Sequence, residues 1–254
     1  MKYIPNLFTL LNLFFGCIAV ILVLQNGIAV MSFGDGTQYI NMPERVCWAS
    51  LFMGLAGLVD FFDGFVARLF KATSPMGKQL DSLADLVSFG VAPGMILYQL
   101  LRLSFAEQPD GLDVSVGWLL PALIFPCCAA YRLARFNIDE TQVYGFKGMP
   151  APAAGLLIAS LPLIGWYATS EKVRALVTNR WVLYGLIVVV GWLMVSKLPL
   201  MALKFKDYGL RNNWPKVLLL VLAVLAAVFL KWLAVPVVFI FYIIVSLVAK
   251  EKTV

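Results

Sequence analysis

The chain has 254 residues, of which 61% are hydrophobic and 13% are charged, and its mean hydropathy is +0.87. This composition excludes a soluble globular domain and indicates a polytopic membrane protein. The net charge of +6 would favour nucleic acid in a soluble protein. In a membrane protein, Lys and Arg concentrated in cytoplasmic loops explain it, so we expect no nucleic-acid partner.

Eight apolar segments are long enough, or nearly so, to cross a hydrocarbon core that requires roughly 20 helical residues. They lie near residues 5–29, 44–70, 77–102, 115–138, 150–170, 181–203, 214–232 and 234–250. Since no composition shift marks a soluble part, we predict one all-α domain over residues 1–254, a membrane helix bundle of about eight transmembrane helices. We interpret the first segment as a transmembrane helix and not a cleavable signal, because no small-x-small site closes it.

The distribution of basic residues predicts the orientation of this bundle. With the N-terminus inside, fourteen of the 20 Lys and Arg residues lie at inner ends and loops, and six lie at outer ones. This asymmetry favours an N-in, C-in topology. We therefore expect a protein of the inner (cytoplasmic) membrane.

Polar residues follow one face of the first segment, in the pattern Pro5-Asn6-x-x-Thr9-x-x-Asn12-x-x-x-Gly16. A spacing of three to four residues places Asn6, Thr9 and Asn12 roughly along one helical face. Polar residues in a membrane helix bond neighbouring helices more often than they bind ligands. On the residues alone, both roles stay open.

Four aspartates stand within 26 residues inside otherwise apolar segments: Asp60, Asp63, Asp81 and Asp85. Ionisable groups at bilayer depth are costly and mark functional sites. Each pair lies on one face of its helix, so two facing helices would present four carboxylates to a common point. Like charges this close require a cation, and oxygen ligands in a chain without histidine favour Mg²⁺ or Mn²⁺ over Zn²⁺. The alternative is a carboxylate–arginine network that serves helix packing.

The full run around the aspartates is Asp60-x2-Asp63-Gly64-x2-Ala67-Arg68-x8-Gly77-x3-Asp81-x3-Asp85. It resembles the complete signature of the CDP-alcohol phosphotransferase family at every fixed position. The resemblance implies an enzyme in which a CDP-activated donor loses CMP as its phosphoryl group moves to an alcohol. It also implies a homodimer. The N-in, C-in topology puts the aspartates at the cytoplasmic leaflet, so we expect the active site to face the cytoplasm.

The same resemblance implies roles for individual residues. Asp60, Asp63 and Asp81 would hold two divalent cations, and Asp85 would join this metal set and take the proton from the attacking hydroxyl. The implied CDP-diacylglycerol site consists of Asn6, Thr9, Asp60, Gly64, Ala67, Arg68 and Gly77. Its glycines would let the nucleotide approach the backbone, and Arg68 would pair with a phosphate or support the cytidine pocket. Asn12 is a departure, since many family members carry arginine there.

Three stretches, 80–93, 131–137 and 146–152, resemble the integral-membrane phosphatidylserine synthases within this family. The implied reaction converts CDP-diacylglycerol and L-serine into phosphatidylserine and CMP. Independently, a cluster near the inner end of the fourth segment suits the carboxylate of serine: Arg132, Arg135, Asn137 and Lys147. Ordinary positive-inside anchoring is the alternative interpretation of these residues.

Other functions stay open at this point. Glycerol 3-phosphate or inositol 1-phosphate would also require basic residues at the acceptor site of a sister enzyme. Membrane aspartates also line ion paths, so a divalent-cation transporter is a candidate of a different class. Transport predicts carboxylates near the midplane on helices related by a repeat, whereas these cluster at one leaflet and the sequence shows no repeat. A catalytically inactive lipid-binding scaffold is the third candidate.

Overall fold

The computed structural model of the chain describes residues 4–25, 27, 30–32, 38–40, 42–69, 74–108, 111–139, 145–201 and 210–248. Most of these residues are helical, which confirms the predicted all-α class. The helices are α1 (Ile4–Leu24), α2 (Glu44–Leu69), α3 (Pro75–Leu86), α4 (Ala92–Ala106), α5 (Ile124–Ile138), α6 (Ala151–Tyr167), α7 (Glu171–Thr178), α8 (Arg180–Val195), α9 (Leu210–Leu230) and α10 (Ala234–Val248).

Four described helical stretches are long and apolar enough to cross a membrane: Asn6–Leu24, Glu44–Gly64, Pro75–Ala106 and Asn213–Val248. Helices α7 and α8, bent by 59° at their junction, make a fifth when counted as one span. The last stretch has 36 residues. As one straight helix it would measure about 54 Å, against a hydrocarbon core of about 30 Å. Its interruption at Lys231, with a φ of 51°, agrees with the predicted boundary between segments 214–232 and 234–250. The architecture is that of an integral membrane protein, and the count of eight crossings stays a prediction.

The sequence did not predict two short antiparallel ribbons. Strand β1 (Val30–Ser32) pairs with β2 (Gln38–Ile40), and β3 (Gly145–Lys147) pairs with β4 (Pro199–Met201). In the second ribbon, Gly145 lies opposite Met201 and Lys147 lies opposite Pro199. Predicted segment 181–203 therefore ends as a helix at Val195, because the chain turns into β4.

The start of α3 has the residues that are typical of a helix N-terminus. Ser74 caps the helix, and its hydroxyl accepts a hydrogen bond of 3.0 Å from the Gly77 amide, while Pro75 occupies the first turn. The helix continues through a π-helical turn, Val87–Val91, into α4 without leaving the apolar stretch. Such turns widen the helix locally and are frequent at functional sites.

The π-helical turn lies at the centre of the bundle. Ser88, Phe89 and Gly90 are buried in it, and α1, α5 and α6 all contact this turn. A Cβ added at Gly16 of α1 would collide with the Ser88 side chain and lie 2.9 Å from the Ser88 Cα atom. The absence of a side chain at Gly16 therefore lets α1 approach the turn closely, which brings the polar face of α1 to α3.

We expect Gly16→Ala to lower stability, although alanine favours helix by about 1 kcal/mol over glycine. Overpacking of this kind lowers the free energy of unfolding by about 1–3 kcal/mol. Ser88 cannot easily move away, because its backbone belongs to the π-helical turn and its hydroxyl is bonded to the Asn12 carbonyl oxygen. Gly54→Ala is the matched control, since a Cβ there meets nothing within 4 Å. Thermal unfolding of both variants in the same detergent measures the difference. A Gly16→Ala variant as stable as Gly54→Ala would contradict the close approach.

Candidate active site

Two helices supply the four aspartates of the site. Asp60 and Asp63 lie on α2, and Asp81 and Asp85 lie on α3. One carboxylate oxygen from each of Asp60, Asp63 and Asp81 lies within 4.8 Å of the other two. Asp85 is buried and interacts electrostatically with all three. The structure thus brings together the four carboxylates that the helical spacing places on facing helices.

Helix α1 donates hydrogen bonds into this cluster from its predicted polar face. The Thr9 hydroxyl donates to Asp63 Oδ2 over 3.0 Å, and Asn12 Nδ2 donates to Asp85 Oδ1 over 3.2 Å. Both donors are buried. Hydrogen bonds to a carboxylate favour its charged form, so α1 supports ionised aspartates. Within the described part of the chain, Asn12 Oδ1 is buried without a hydrogen-bond partner.

The cluster fits a divalent cation by its chemistry and spacing. Oxygen ligands about 2.1 Å from one Mg²⁺ are separated by about 3 to 4 Å. The carboxylate oxygens lie within 4.8 Å of one another, so their separations need to shorten by at most about 2 Å. Hard carboxylate oxygens suit Mg²⁺ and Mn²⁺. Four carboxylates in a low-dielectric bundle also repel one another unless a positive charge lies between them. The aspartates can therefore hold a metal ion.

The donor-site residues expected from the resemblance differ in how far the structure describes them. Asn6 lies beside Gly77, since a Cβ on Gly77 would be 3.2 Å from Asn6 Oδ1. A Cβ on Gly64 would meet none of the described residues within 4 Å, so the space beside this glycine is open as far as the described part of the chain extends. The side chains of Ala67 and Arg68, and that of Lys147 in the acceptor cluster, lie outside the described residues.

Among the acceptor-cluster residues whose side chains are described, Arg132 is the one with an electrostatic interaction with an aspartate of the site. It is buried, and its guanidinium interacts electrostatically with Asp85. Its Nε donates to the Met149 carbonyl oxygen over 3.1 Å, and the guanidinium carbon lies 4.8 Å from the centre of the Phe136 ring. This arrangement holds a cationic fork within electrostatic range of Asp85.

Arg135 and Asn137 have contacts with neighbouring elements. Arg135 Nη1 donates to the Val195 carbonyl oxygen at the end of α8 over 3.0 Å. Asn137 Nδ2 donates to the Ser82 hydroxyl over 2.7 Å, and Lys78 Nζ donates to the Asn137 carbonyl oxygen over 3.0 Å. These bonds tie the end of α5 to α8 and to α3, and thereby fix the position of Arg132.

Sequence reasoning did not identify Ser88 and Tyr242. The Ser88 hydroxyl donates to the Asn12 carbonyl oxygen over 3.0 Å. A signal existed, because Asp81, Asp85 and Ser88 stand at i, i+4 and i+7 of one helix face. Tyr242 interacts electrostatically with Arg132 from α10, and no local spacing could have indicated a pair so distant along the chain.

Comparison with known proteins assigns the family. The family model described as CDP-alcohol phosphatidyltransferase matches residues 2–243. The chain is similar to proteins named CDP-diacylglycerol–serine O-phosphatidyltransferase from several organisms. It is 34% identical to the one from a Helicobacter pylori strain over 231 residues, which are 89% of this chain and 81% of that protein.

Two further relatives carry the same name. The Bacillus subtilis protein is 36% identical over 163 residues, 63% of this chain and 76% of the relative. The Mycobacterium tuberculosis protein is 32% identical over 220 residues, 81% of this chain and 69% of the relative. Because the family model covers almost its whole length, the chain belongs to the CDP-alcohol phosphatidyltransferase family.

Proposed function

We propose that this protein transfers the phosphatidyl group of CDP-diacylglycerol to the hydroxyl of L-serine, giving phosphatidylserine and CMP. The names of its relatives support this assignment. The observation that carries it is the convergence of Asp60, Asp63 and Asp81 beside Asp85, in a chain of this family. The Arg132 guanidinium next to Asp85 supports serine as the acceptor, since it suits a carboxylate.

The proposed cofactors are two divalent cations, Mg²⁺ or Mn²⁺. Asp60, Asp63 and Asp81 would hold them, with Asp85 completing the set. When bound, they supply positive charge against the donor's pyrophosphate and so ease the departure of CMP.

Asp85 is the proposed general base. In a direct in-line displacement, the serine hydroxyl oxygen forms a bond to the β-phosphorus of the donor. The bond from that phosphorus to the oxygen of CMP breaks, and the hydroxyl proton passes to the Asp85 carboxylate. No covalent phosphatidyl-enzyme intermediate is needed. The hydrogen bond from Asn12 fixes the Asp85 carboxylate for this transfer.

The donor's nucleotide would lie between α1 and the α2–α3 pair. Asn6 and Thr9 offer polar groups there, and the open space beside Gly64 allows close approach to the backbone. Gly77, Asp60, Ala67 and Arg68 complete the proposed donor site.

Serine would bind on the other side of the aspartates, at Arg132. A buried guanidinium beside the proposed base can receive the carboxylate while the hydroxyl reaches Asp85. Three further residues are secondary members of this proposed site. Arg135 and Asn137 connect α5 to its neighbours, and Lys147 is the third.

The membrane setting follows from the same reaction. We place the enzyme in the inner membrane with the aspartates at the cytoplasmic side, where serine and CMP are dissolved and the donor's acyl chains stay in the bilayer. The family resemblance also leads us to propose a homodimer.

Purified protein is expected to release CMP from CDP-diacylglycerol only when L-serine and Mg²⁺ or Mn²⁺ are both present. Glycerol 3-phosphate and inositol 1-phosphate, supplied separately, distinguish the sister reactions, and a chelator should abolish release. CMP release that follows glycerol 3-phosphate or inositol 1-phosphate instead of serine would overturn the acceptor assignment.

Asp85→Asn should lower kcat by about 10²- to 10⁴-fold, because the amide cannot accept the hydroxyl proton. CDP-diacylglycerol should still bind, as measured by titration of the purified variant. Asp113→Asn, which changes an exposed aspartate beyond the opposite end of α4, is the matched control and should keep full turnover. Unchanged turnover in Asp85→Asn would remove this residue from the role of base.

Asp63→Asn and Asp81→Asn should each weaken Mn²⁺ binding, because each removes one anionic oxygen ligand from the cluster. Electron paramagnetic resonance of Mn²⁺ titrated into the protein measures free and bound metal without any turnover. Asp113→Asn should bind Mn²⁺ like the parent. Equal binding by all three variants would show that the metal is held elsewhere.

A further inference from the structure

A hydrogen bond from α1 restricts the orientation of the Asp63 carboxylate on α2. The Thr9 hydroxyl donates to Asp63 Oδ2 over 3.0 Å, although the two residues stand 54 positions apart in the chain. Thr9 is 4% exposed and Asp63 is 7% exposed, so the bond is shielded from water. Asp63 also supplies one of the three clustered ligand oxygens. An ionised carboxylate has about four lone-pair sites, so it can accept from Thr9 and still coordinate a cation.

Contacts one turn further along α1 hold Thr9 in register. The Asn12 side chain donates to Asp85 over 3.2 Å, and the Asn12 carbonyl oxygen accepts from the Ser88 hydroxyl over 3.0 Å. Gly16 lies against Ser88, where a Cβ would collide with it. These contacts oppose sliding or rotation of α1 relative to α3. The Thr9 hydroxyl is therefore kept directed at α2.

The orientation of each carboxylate matters because the aspartates must move closer before they can share one cation. Their oxygens lie within 4.8 Å of one another, whereas the ligands of one Mg²⁺ are separated by about 3 to 4 Å. Mg²⁺ also requires near-octahedral geometry, so each ligand must be aimed correctly. Hydrogen-bond partners that orient metal ligands typically raise metal affinity by about 10- to 100-fold. Thr9 is placed to have this effect through Asp63.

We infer that Thr9 is a positioning residue of the proposed metal site: its hydroxyl fixes the Asp63 carboxylate, so that α1 sets the affinity of the aspartates for a divalent cation. This inference rests on the proposed function, which makes the aspartates metal ligands. It gives α1 a role before either substrate arrives, in addition to the donor contact proposed for Thr9. Loss of the hydroxyl would let the Asp63 carboxylate rotate, and binding of a cation would then have to order it.

The test measures Mn²⁺ bound to the full-length protein by electron paramagnetic resonance, in the absence of CDP-diacylglycerol and serine. Thr9→Val keeps the branched shape of the side chain and removes the hydroxyl, so it should raise the Kd for Mn²⁺ by about 10- to 100-fold. Thr9→Ser keeps the hydroxyl and should bind Mn²⁺ nearly as tightly as the parent. Thr9→Ala removes the hydroxyl in a second way and should have the same effect as Thr9→Val.

Thermal unfolding provides the second readout. A cation that binds only the folded state raises the unfolding temperature by an amount set by the ratio of its concentration to its Kd. Thr9→Val should therefore need about 10- to 100-fold more Mn²⁺ than the parent to reach the same rise. A residue that only stabilised the fold would lower the unfolding temperature without metal and leave the required Mn²⁺ concentration unchanged, which would overturn the inference.

Ser50→Ala is the matched control. Ser50 is also a buried hydroxyl, and it lies on α2 with Asp63, but it donates to the Val46 carbonyl oxygen of its own helix over 3.1 Å. It stands ten residues before Asp60, about 15 Å along the helix axis. Its Kd for Mn²⁺ should therefore equal that of the parent. A rise in Ser50→Ala as large as in Thr9→Val would show that loss of any buried hydroxyl has this effect, and would overturn the inference.

The outcomes separate the two proposals. A parent protein that binds no Mn²⁺ would overturn the proposed metal site, and the role of Thr9 with it. If the parent binds Mn²⁺ and both Thr9→Val and Thr9→Ala bind it equally well, the metal site stands and the role of Thr9 is wrong. Weaker binding of CDP-diacylglycerol by Thr9→Val, with unchanged Mn²⁺ affinity, would make Thr9 a donor contact alone and also overturn the inference. If the parent releases no CMP with serine, the proposed function fails, while a lower Mn²⁺ affinity in Thr9→Val would still support the role of Thr9.

Discussion

The mutual repulsion of four carboxylates in an apolar bundle is the constraint on which the rest of this structure depends. Asp60, Asp63 and Asp81 hold ligand oxygens within 4.8 Å of one another, and Asp85 is buried beside them. At the reduced dielectric of a membrane protein, charges this close oppose folding unless donors and cations surround them. Thr9 and Asn12 provide the donors, Arg132 provides one positive charge, and bound metal ions would provide the remainder. Unfavourable electrostatics thus concentrate where the proposed chemistry takes place, which is usual for functional sites.

Close packing elsewhere allows this unfavourable cluster to persist. Gly16 permits α1 to lie against the π-helical turn, where the Ser88 hydroxyl binds the Asn12 carbonyl oxygen. That bond fixes the backbone of Asn12, whose side chain donates a hydrogen bond to Asp85. Asn12 therefore connects the close packing of α1 to the electrostatics of the aspartate cluster. The neutral amide leaves the charge balance of the cluster to Arg132 and to cations, while it keeps a donor directed at the carboxylate.

The sequence predicted those features that depend on local spacing. Aspartates at i, i+3 and i, i+4 had to share a helix face, and the structure shows that they do. Three features could not be predicted from spacing. They are the π-helical turn, the β3–β4 ribbon, and the different hydrogen-bond partners of Arg132 and Arg135, which stand only three residues apart. Each depends on which backbone carbonyl groups the tertiary structure places nearby, Met149 for Arg132 and Val195 for Arg135. Side-chain spacing along one helix contains no information about such partners.

The two proposed substrates come from different phases, the bilayer and water, and α2 has one surface suited to each. CDP-diacylglycerol carries its acyl chains in the bilayer, whereas serine arrives from water, so the reacting atoms must lie at the boundary. Asp60 and Asp63 point to the shared cluster, while Phe61 and Phe62, their neighbours on the same helix, are exposed at the bundle's surface. One turn of α2 therefore presents carboxylates on one side and hydrocarbon on the other.

A site in the middle of the membrane would exclude the water-soluble acceptor, and a site in a soluble domain would require the donor to leave the bilayer. Placing the aspartates near the end of one span and the start of the next avoids both costs.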